Sequence, residues 1–213
     1  MLSAPLIVDI ATAPLGDASD FMSDEDFYAP ENYGEEAAAK FIAKAKAKAL
    51  DSCALDPHLC RITGLGITGP VVTGETQVMT TNTYGDQGEA LILREVAFYL
   101  DKGCWLVSFN GLKFDWPVLN ARARYLGVDL NISLDRYKSR HLDLYALMTN
   151  HGQLKGHSLS WWVKRHRWTD LAKPLTGAEE AQVPVSGRWK ELAASLRHDV
   201  TATYRLAKWC GVL

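Results

Sequence analysis

The 213 residues, 47% of them hydrophobic, carry a formal net charge of −2; this suits one globular domain over 1–213 and excludes polyanion binding by overall basicity. Mean hydropathy is −0.11 and no long apolar run occurs, so neither a membrane span nor a membrane partner is expected. The first residues, Met1-Leu2-Ser3-Ala4-Pro5, place no basic stretch before an apolar one, which predicts no secretory signal and a cytoplasmic location.

Leu6 to Ile10 predicts a buried strand, a short β-branched run stopped by Pro14. Residues 17–34 mix Asp, Ser, Pro and Gly and begin an irregular or helical excursion at about 17–50. Its second part, Glu35 to Leu50, is rich in Ala and Lys, with Lys40, Lys44 and Lys48 on one face, and predicts a solvated helix. Arg61 to Thr68 and Val71 to Thr81 predict two strands joined as a hairpin through Gly69-Pro70. Glu89 to Leu100 predicts an amphipathic helix ended by Gly103, and Cys104 to Phe109 a buried strand. Trp116 to Leu126 predicts a helix with Pro117 in its first turn, followed by helices over Ser158 to Arg165 and Arg188 to Trp209. The order predicts an α/β protein, a mixed sheet with helices packed on it, whose chemistry gathers at strand ends.

Four cysteines (Cys53, Cys60, Cys104, Cys210) form no Cys-x-x-Cys pair and are expected to be buried thiols, and the six histidines show no zinc-ligand spacing. Charge is unevenly spread. Residues 17–36 are acidic, whereas 151–168 hold Lys155, Lys164 and Arg165 among Trp161, Trp162 and Trp168. That second stretch predicts a partly exposed face on which a base stacks on Trp161 and the cations meet phosphates, with at least one of the adjacent tryptophans in the core.

Three aspartates stand in contexts suited to hard cations: Asp9 closing an apolar run, Asp115 in Asn-Gly-x-x-Phe-Asp, and Asp199 in His-Asp-Val-Thr-Ala-Thr. Two divalent ions about 3.5–4 Å apart activate a water and stabilise the leaving oxygen of a phosphodiester, and need several carboxylates to offset their repulsion. Strand side chains alternate, so a carboxylate at position 11 would share the side of Asp9; position 11 is Ala11. Taken singly, each aspartate has a plainer reading: a strand-end turn for Asp9, a cap of the following helix for Asp115, a solvent-facing position for Asp199. Asp143, before Leu-Tyr-Ala-Leu, reads as a helix cap rather than a ligand.

Asp9-Ile10-x-Thr12, Asn110-Gly111-x-x-Phe114-Asp115 and His198-Asp199-Val200 resemble the three motifs of the DEDD 3′–5′ exonucleases. The nearest likeness is to predicted exonucleases related to the proofreading domain of family B DNA polymerases, common in phages and bacteria, and it spans roughly residues 5–210. The resemblance implies a ribonuclease H-like fold, a mixed five-stranded sheet flanked by helices. It implies hydrolysis from a 3′ end with two divalent metal ions, Mg or Mn, on a nucleic acid, most naturally single-stranded DNA. Carried over by position, Asp9 bridges both metals, Asp199 joins it at one and Asp115 serves the other. Thr12, Asn110, Phe114, Ser195 and His198 fall beside the substrate.

Two positions depart from that pattern. The first motif's glutamate is Ala11, and the third motif's general base is absent, with Ala194 and Ser195 where it would stand. His198 adjoins Asp199, but one helical step turns it about 100° away. Ala11 implies a weakened or inactive copy, either an engineered change in an active enzyme or a naturally decayed nuclease. The alternative function is a non-catalytic nucleic-acid-binding module.

Overall fold

The computed structural model describes residues 4–72, 76–84, 87–130, 133 and 140–213. Strand β1 (Pro5–Pro14) is central and longer than its apolar run predicts, because β2 (Cys60–Thr68) pairs antiparallel with it from Ile7 opposite Thr68 to Pro14 opposite Cys60. Asp9 therefore lies within a strand, not at its end. On the other side, β4 (Trp105–Ser108) runs parallel to β1 but pairs only with Pro5, Leu6 and Ile7. Asp9 begins the part of β1 that extends past its parallel neighbour, where an open sheet leaves space for chemistry.

With β3 (Gln77–Thr80) and β5 (His141–Asp143), the sheet order is β3-β2-β1-β4-β5, the first three strands antiparallel and the last two parallel to β1. This is the mixed five-stranded sheet of a ribonuclease H-like fold. The hairpin partner of β2 starts at Gln77 rather than Val71: Val72 turns back to donate its N–H to Gly69 O, and residues 73–75 of the expected strand lie outside the described residues.

Alternation along β1 sorts its side chains. Leu6, Val8 and Ile10 join the core beneath α3 (Gly88–Asp101) and α4 (Asp115–Tyr125). Ile7 packs with Val200 and Leu206 of α9 (Trp189–Trp209), and Ala11 with Leu192 and Leu196 of the same helix. By the two-residue period, Asp9 faces α9. Past Ala11 the register shifts, Thr12 pairing with Ile62. A buried ion pair ties the first face together: Arg122 donates to both oxygens of Glu89 at 2.7 and 2.9 Å, and Glu89 Oε1 also accepts Ile62 N–H at 2.8 Å.

The helix over 35–50 is α1 (Glu35–Ser52), and it buries no residue. Its Lys40–Glu36 contact at 2.6 Å is exposed on both sides and adds little stability. The excursion before it holds only short 3-10 turns, Ala18–Phe21 and Asp24–Asp26. Unanticipated short elements are α2 (Thr81–Tyr84), β5, α7 (Gly177–Ala181) and α8 (Val183–Ser186); α5 (Leu144–Met148) follows the expected Asp143 cap, and α6 (Leu159–Arg165) matches expectation. Cys53, Cys60 and Cys104 are buried free thiols and Cys210 is half-buried; burial pushes the Cys60 thiol up to about 12. Among the described residues no helix is long and apolar enough to cross a membrane.

Candidate active site

The three aspartates come together because α9 lies unusually close to the sheet. Gly66 pairs with Asp9, and a Cβ on it would stand 2.9 Å from Val200 Cγ1 and 3.1 Å from Leu196 O. The missing side chain lets α9 settle over β1 and β2, which brings Asp199, the residue before Val200, down to Asp9. Asp199 is 8% exposed, so it is no solvent-facing helix residue.

Asp115 arrives from the other helix layer. It is the first residue of α4 rather than its cap, the cap position being Phe114; its Oδ1 accepts Ile10 N–H at 3.2 Å, clamping the helix start against β1. The turn before it is tight. Asn110 adopts a left-handed conformation (φ 66°), tolerated by asparagine, and a Cβ on Gly111 would fall 2.1 Å from Ser108 Oγ. Asp143 holds this turn: Oδ1 accepts Asn110 N–H at 2.8 Å and Oδ2 accepts Leu112 N–H at 3.1 Å, while the same carboxylate caps α5 through Tyr145 N–H. The cap reading of Asp143 is correct, and the residue also positions the turn that delivers Asp115.

Burial first, then the neighbouring carboxylates Asp199 and Asp115, push the Asp9 carboxyl well above its usual range, with Lys173 opposing. Burial likewise pushes Asp115 up to about 7; the amides of Asp115 and Ile10 pull it down, and Asp143 and Asp199 raise it further. Carboxyls raised by burial together with specific charged neighbours make this cluster a functional-site candidate.

Two residues with no sequence signal complete the cluster. Lys173 Nζ stands 2.5 Å from Asp199 Oδ2 and 3.0 Å from Glu180 Oε1. Burial works against this ammonium, but Asp199 and Glu180 outweigh it and hold it well above the usual lysine range, so it stays charged. His198 also reaches the site: its backbone step points elsewhere, yet its buried ring brings Nδ1 to 2.8 Å from Asp199 Oδ1. It positions Asp199.

Other expected substrate contacts are placed elsewhere. Thr12 is buried and donates its hydroxyl to Ala54 O at 2.6 Å. Ser195 is fully buried behind the cluster, where it accepts Leu175 N–H at 3.2 Å and hydrogen-bonds the Glu180 carboxylate. Phe114 packs against the core beneath α3 and α4. Trp162 is half-buried against the core cluster beneath α9 and lies 5.6 Å from the exposed Trp209 between ring centroids, whereas Trp161 is 38% exposed and stacks on His157 at 3.9 Å. Lys155, Lys164 and Arg165 are exposed around them. This patch packs on the far end of α9, with Trp209 roughly 15 Å along the helix from Asp199.

Nearer the carboxylates lies a groove the sequence did not announce, a cavity of about 730 Å³ lined by Asn110, Lys113, Trp116, Asn120, Arg124 and Tyr145 among others. It adjoins the Asp115 turn and carries Lys113 and Arg124 on its walls.

For a hard divalent cation the donor chemistry fits: Asp9, Asp115, Asp199 and Glu180 offer carboxylate oxygens only. Glu180 Oε1 is buried and makes no hydrogen bond, its partner being the Lys173 ammonium at 3.0 Å as an ion pair. Yet among the described residues no three His, Cys, Asp or Glu side chains stand ready around one point. Asp199 already engages Lys173 and His198, and Asp115 engages Ile10.

A family model described as RNase_H superfamily matches residues 54–172. That span contains Asp115 and not Asp9, Lys173, Glu180 or Asp199, whose grouping rests on the geometry above. Among solved structures, the family B DNA polymerase from the hyperthermophilic archaeon Pyrobaculum calidifontis is similar with a TM-score of 0.61 and 17% identity, over 98% of this chain and 24% of that one. E. coli Exonuclease I in complex with a dT13 oligonucleotide is similar with a TM-score of 0.44 and 14% identity, over 97% of this chain and 40% of that one. The chain thus spans about a quarter of the polymerase, and the polymerase likeness concerns fold. No curated protein matches the sequence.

Proposed function

The chain belongs to the RNase H superfamily, and on that premise we propose that it is a metal-dependent exonuclease releasing nucleotides from the 3′ end of single-stranded DNA. One observation carries the reading: three aspartates distant in sequence, Asp9 half-buried on β1 with Asp115 of α4 and Asp199 of α9 buried beside it, come within electrostatic reach of one another where β1 outruns β4. Asp9, Asp115 and Asp199 would hold two divalent ions, Mg²⁺ or Mn²⁺. Bound there, such ions would lower the pKa of a water and stabilise the leaving oxygen of the phosphodiester.

The chain's own residues supply the positioning. The Ile10 amide and the Asp143-braced turn set Asp115, and the His198 ring sets Asp199. Lys113 and Arg124 in the adjoining groove meet the strand's phosphates, leaving Tyr145 a ring on which a base can stack. Ala11 leaves β1 one carboxylate short, which lowers the rate more than strand binding, because misplacing the attacking water harms the transition state alone.

A second reading, a binding module that does not cut, is favoured by the Lys173 ammonium on Asp199. Strands labelled at the 3′ or the 5′ end, incubated with Mn²⁺, separate the two. The exonuclease gives stepwise shortening from the 3′ end; retention of intact strand at saturating protein leaves only the binder. RNA and DNA strands of one sequence define the substrate class. In both readings Lys113→Ala and Arg124→Ala weaken strand binding, and each lowers the slope of log affinity against log salt by about 0.7. An unchanged slope in both variants removes the groove from the strand path.

A further inference from the structure

Resting on the metal-dependent reading above, we propose that Glu180 supplies the carboxylate that position 11 lacks, and that Lys173 is a resident cation holding Glu180 and Asp199 until a divalent metal takes its place. Ala11 is 3% exposed and enclosed by Leu175, Val183, Leu192 and Leu196. Leu175 and Val183 flank Glu180 in sequence, so the stretch closing over Ala11 is the one that carries this acid. Its helix α7 is fixed at the start by a reciprocal cap, Thr176 Oγ1 accepting Glu179 N–H at 3.3 Å and Glu179 Oε2 accepting Thr176 N–H at 2.8 Å.

Position 11 carries no charge, and the next layer brings one to the same side from above. Glu180 lies close enough to act on Asp9 and reaches Asp199 through the shared ammonium. Its Oε1 is buried without a well-formed hydrogen bond, an oxygen with lone pairs available to a cation. Lys173 accounts for the absence of a ready-made cage among the described residues: its single charge stands where a metal's would, and it draws Asp199 and Glu180 toward itself. Divalent metal would compete with this ammonium for Asp199 Oδ2 and Glu180 Oε1. Once released, the flexible lysine stem can turn its charge to solvent or to a strand phosphate.

The test is direct Mn²⁺ titration by calorimetry on the whole chain, with thermal melts in EDTA and in Mn²⁺, comparing wild type with Glu180→Gln, Glu180→Asp, Lys173→Met and Asp9→Asn. Glu180→Gln is expected to bind Mn²⁺ at least about tenfold more weakly, and Glu180→Asp, which keeps a carboxylate, to retain part of the affinity. Lys173→Met is expected to bind Mn²⁺ more tightly than wild type, to melt lower in EDTA, and to recover in Mn²⁺. If Asp9→Asn loses Mn²⁺ while Glu180→Gln and Glu180→Asp keep wild-type affinity, Glu180 is no ligand and the nuclease-type site stands without it. If Lys173→Met binds Mn²⁺ more weakly, lysine organises the site rather than occupying it, and the placeholder role is overturned. If neither wild type nor Lys173→Met takes up Mn²⁺, the metal-dependent reading itself fails.

Discussion

Asp9→Asn should abolish Mn²⁺ binding and 3′-end cleavage while making the metal-free protein more stable at alkaline pH. Asp9 is pushed toward its neutral form by burial, then by Asp199, Asp115 and Glu180, against Lys173 alone. An amide of the same shape never ionises, so it escapes both desolvation and like-charge repulsion. The sign depends on pH. Under acid conditions the wild-type carboxyl is itself neutral and the two proteins melt alike. As pH rises, the wild type must either hold a proton against the solution or charge in a crowded site, and the variant gains on it. Melting curves in EDTA at about pH 4, near the ordinary Asp value of 3.8, and at about pH 9 read this divergence. Activity should move the other way, falling at least about a hundredfold because the residue facing both other aspartates is lost. A variant that keeps cleavage, or that melts below wild type at pH 9, would remove Asp9 from the centre of the site. Gain of stability with loss of activity is the signature of a strained functional cluster.

The sequence carried the chemistry of this site further than its geometry. Three aspartates in three contexts were legible because each sits in a short local pattern, and the mixed sheet followed from the order of apolar runs. The place of Asp9 inside its strand was not legible: a strand's extent depends on its partners, and β2 pairs with β1 from Ile7 to Pro14 while β4 stops at Ile7. The strand His141–Asp143 is too short for any periodicity to show. A motif match gives a position but not an orientation, so Thr12 and Ser195 were expected at the substrate and stand in the interior. His198 erred in the opposite direction. The helical step describes where its Cα–Cβ bond points, while the ring's own length carries Nδ1 back to Asp199. Lys173 and Glu180 left no trace at all, because residues brought in by a connecting segment with one short capped helix share no spacing with the motifs they complete.

Asp115→Asn should convert the stability of the metal-free protein into a pH-dependent difference of roughly 4 kcal/mol. The Asp115 carboxyl moves from its ordinary value of 3.8 to about 7, about three units at 1.36 kcal/mol each. A raised folded-state pKa means that the unfolded chain releases this proton first as pH rises. Between about 4 and 7 the native state therefore binds more protons, and stability falls with rising pH until the native carboxyl ionises. His141 acts in the opposite sense. Burial lowers it from 6.5 to about 4, so protonation of the unfolded chain erodes stability as pH falls through that window. The two slopes nearly cancel in the wild type, and a single pH profile would hide both. Asp115→Asn leaves His141 in place and can keep an acceptor for Ile10 N–H, so the difference between variant and wild type isolates the carboxyl. That difference is expected to be small at pH 4, to grow in the variant's favour up to about pH 7, and then to level off, a shift of roughly 10 °C in melting temperature for a chain of this size. Saturating Mn²⁺ should erase the variant's advantage by stabilising the wild type alone. A difference that is flat from pH 4 to 8 would mean that Asp115 ionises at its ordinary pH and that the cluster is looser than its burial implies.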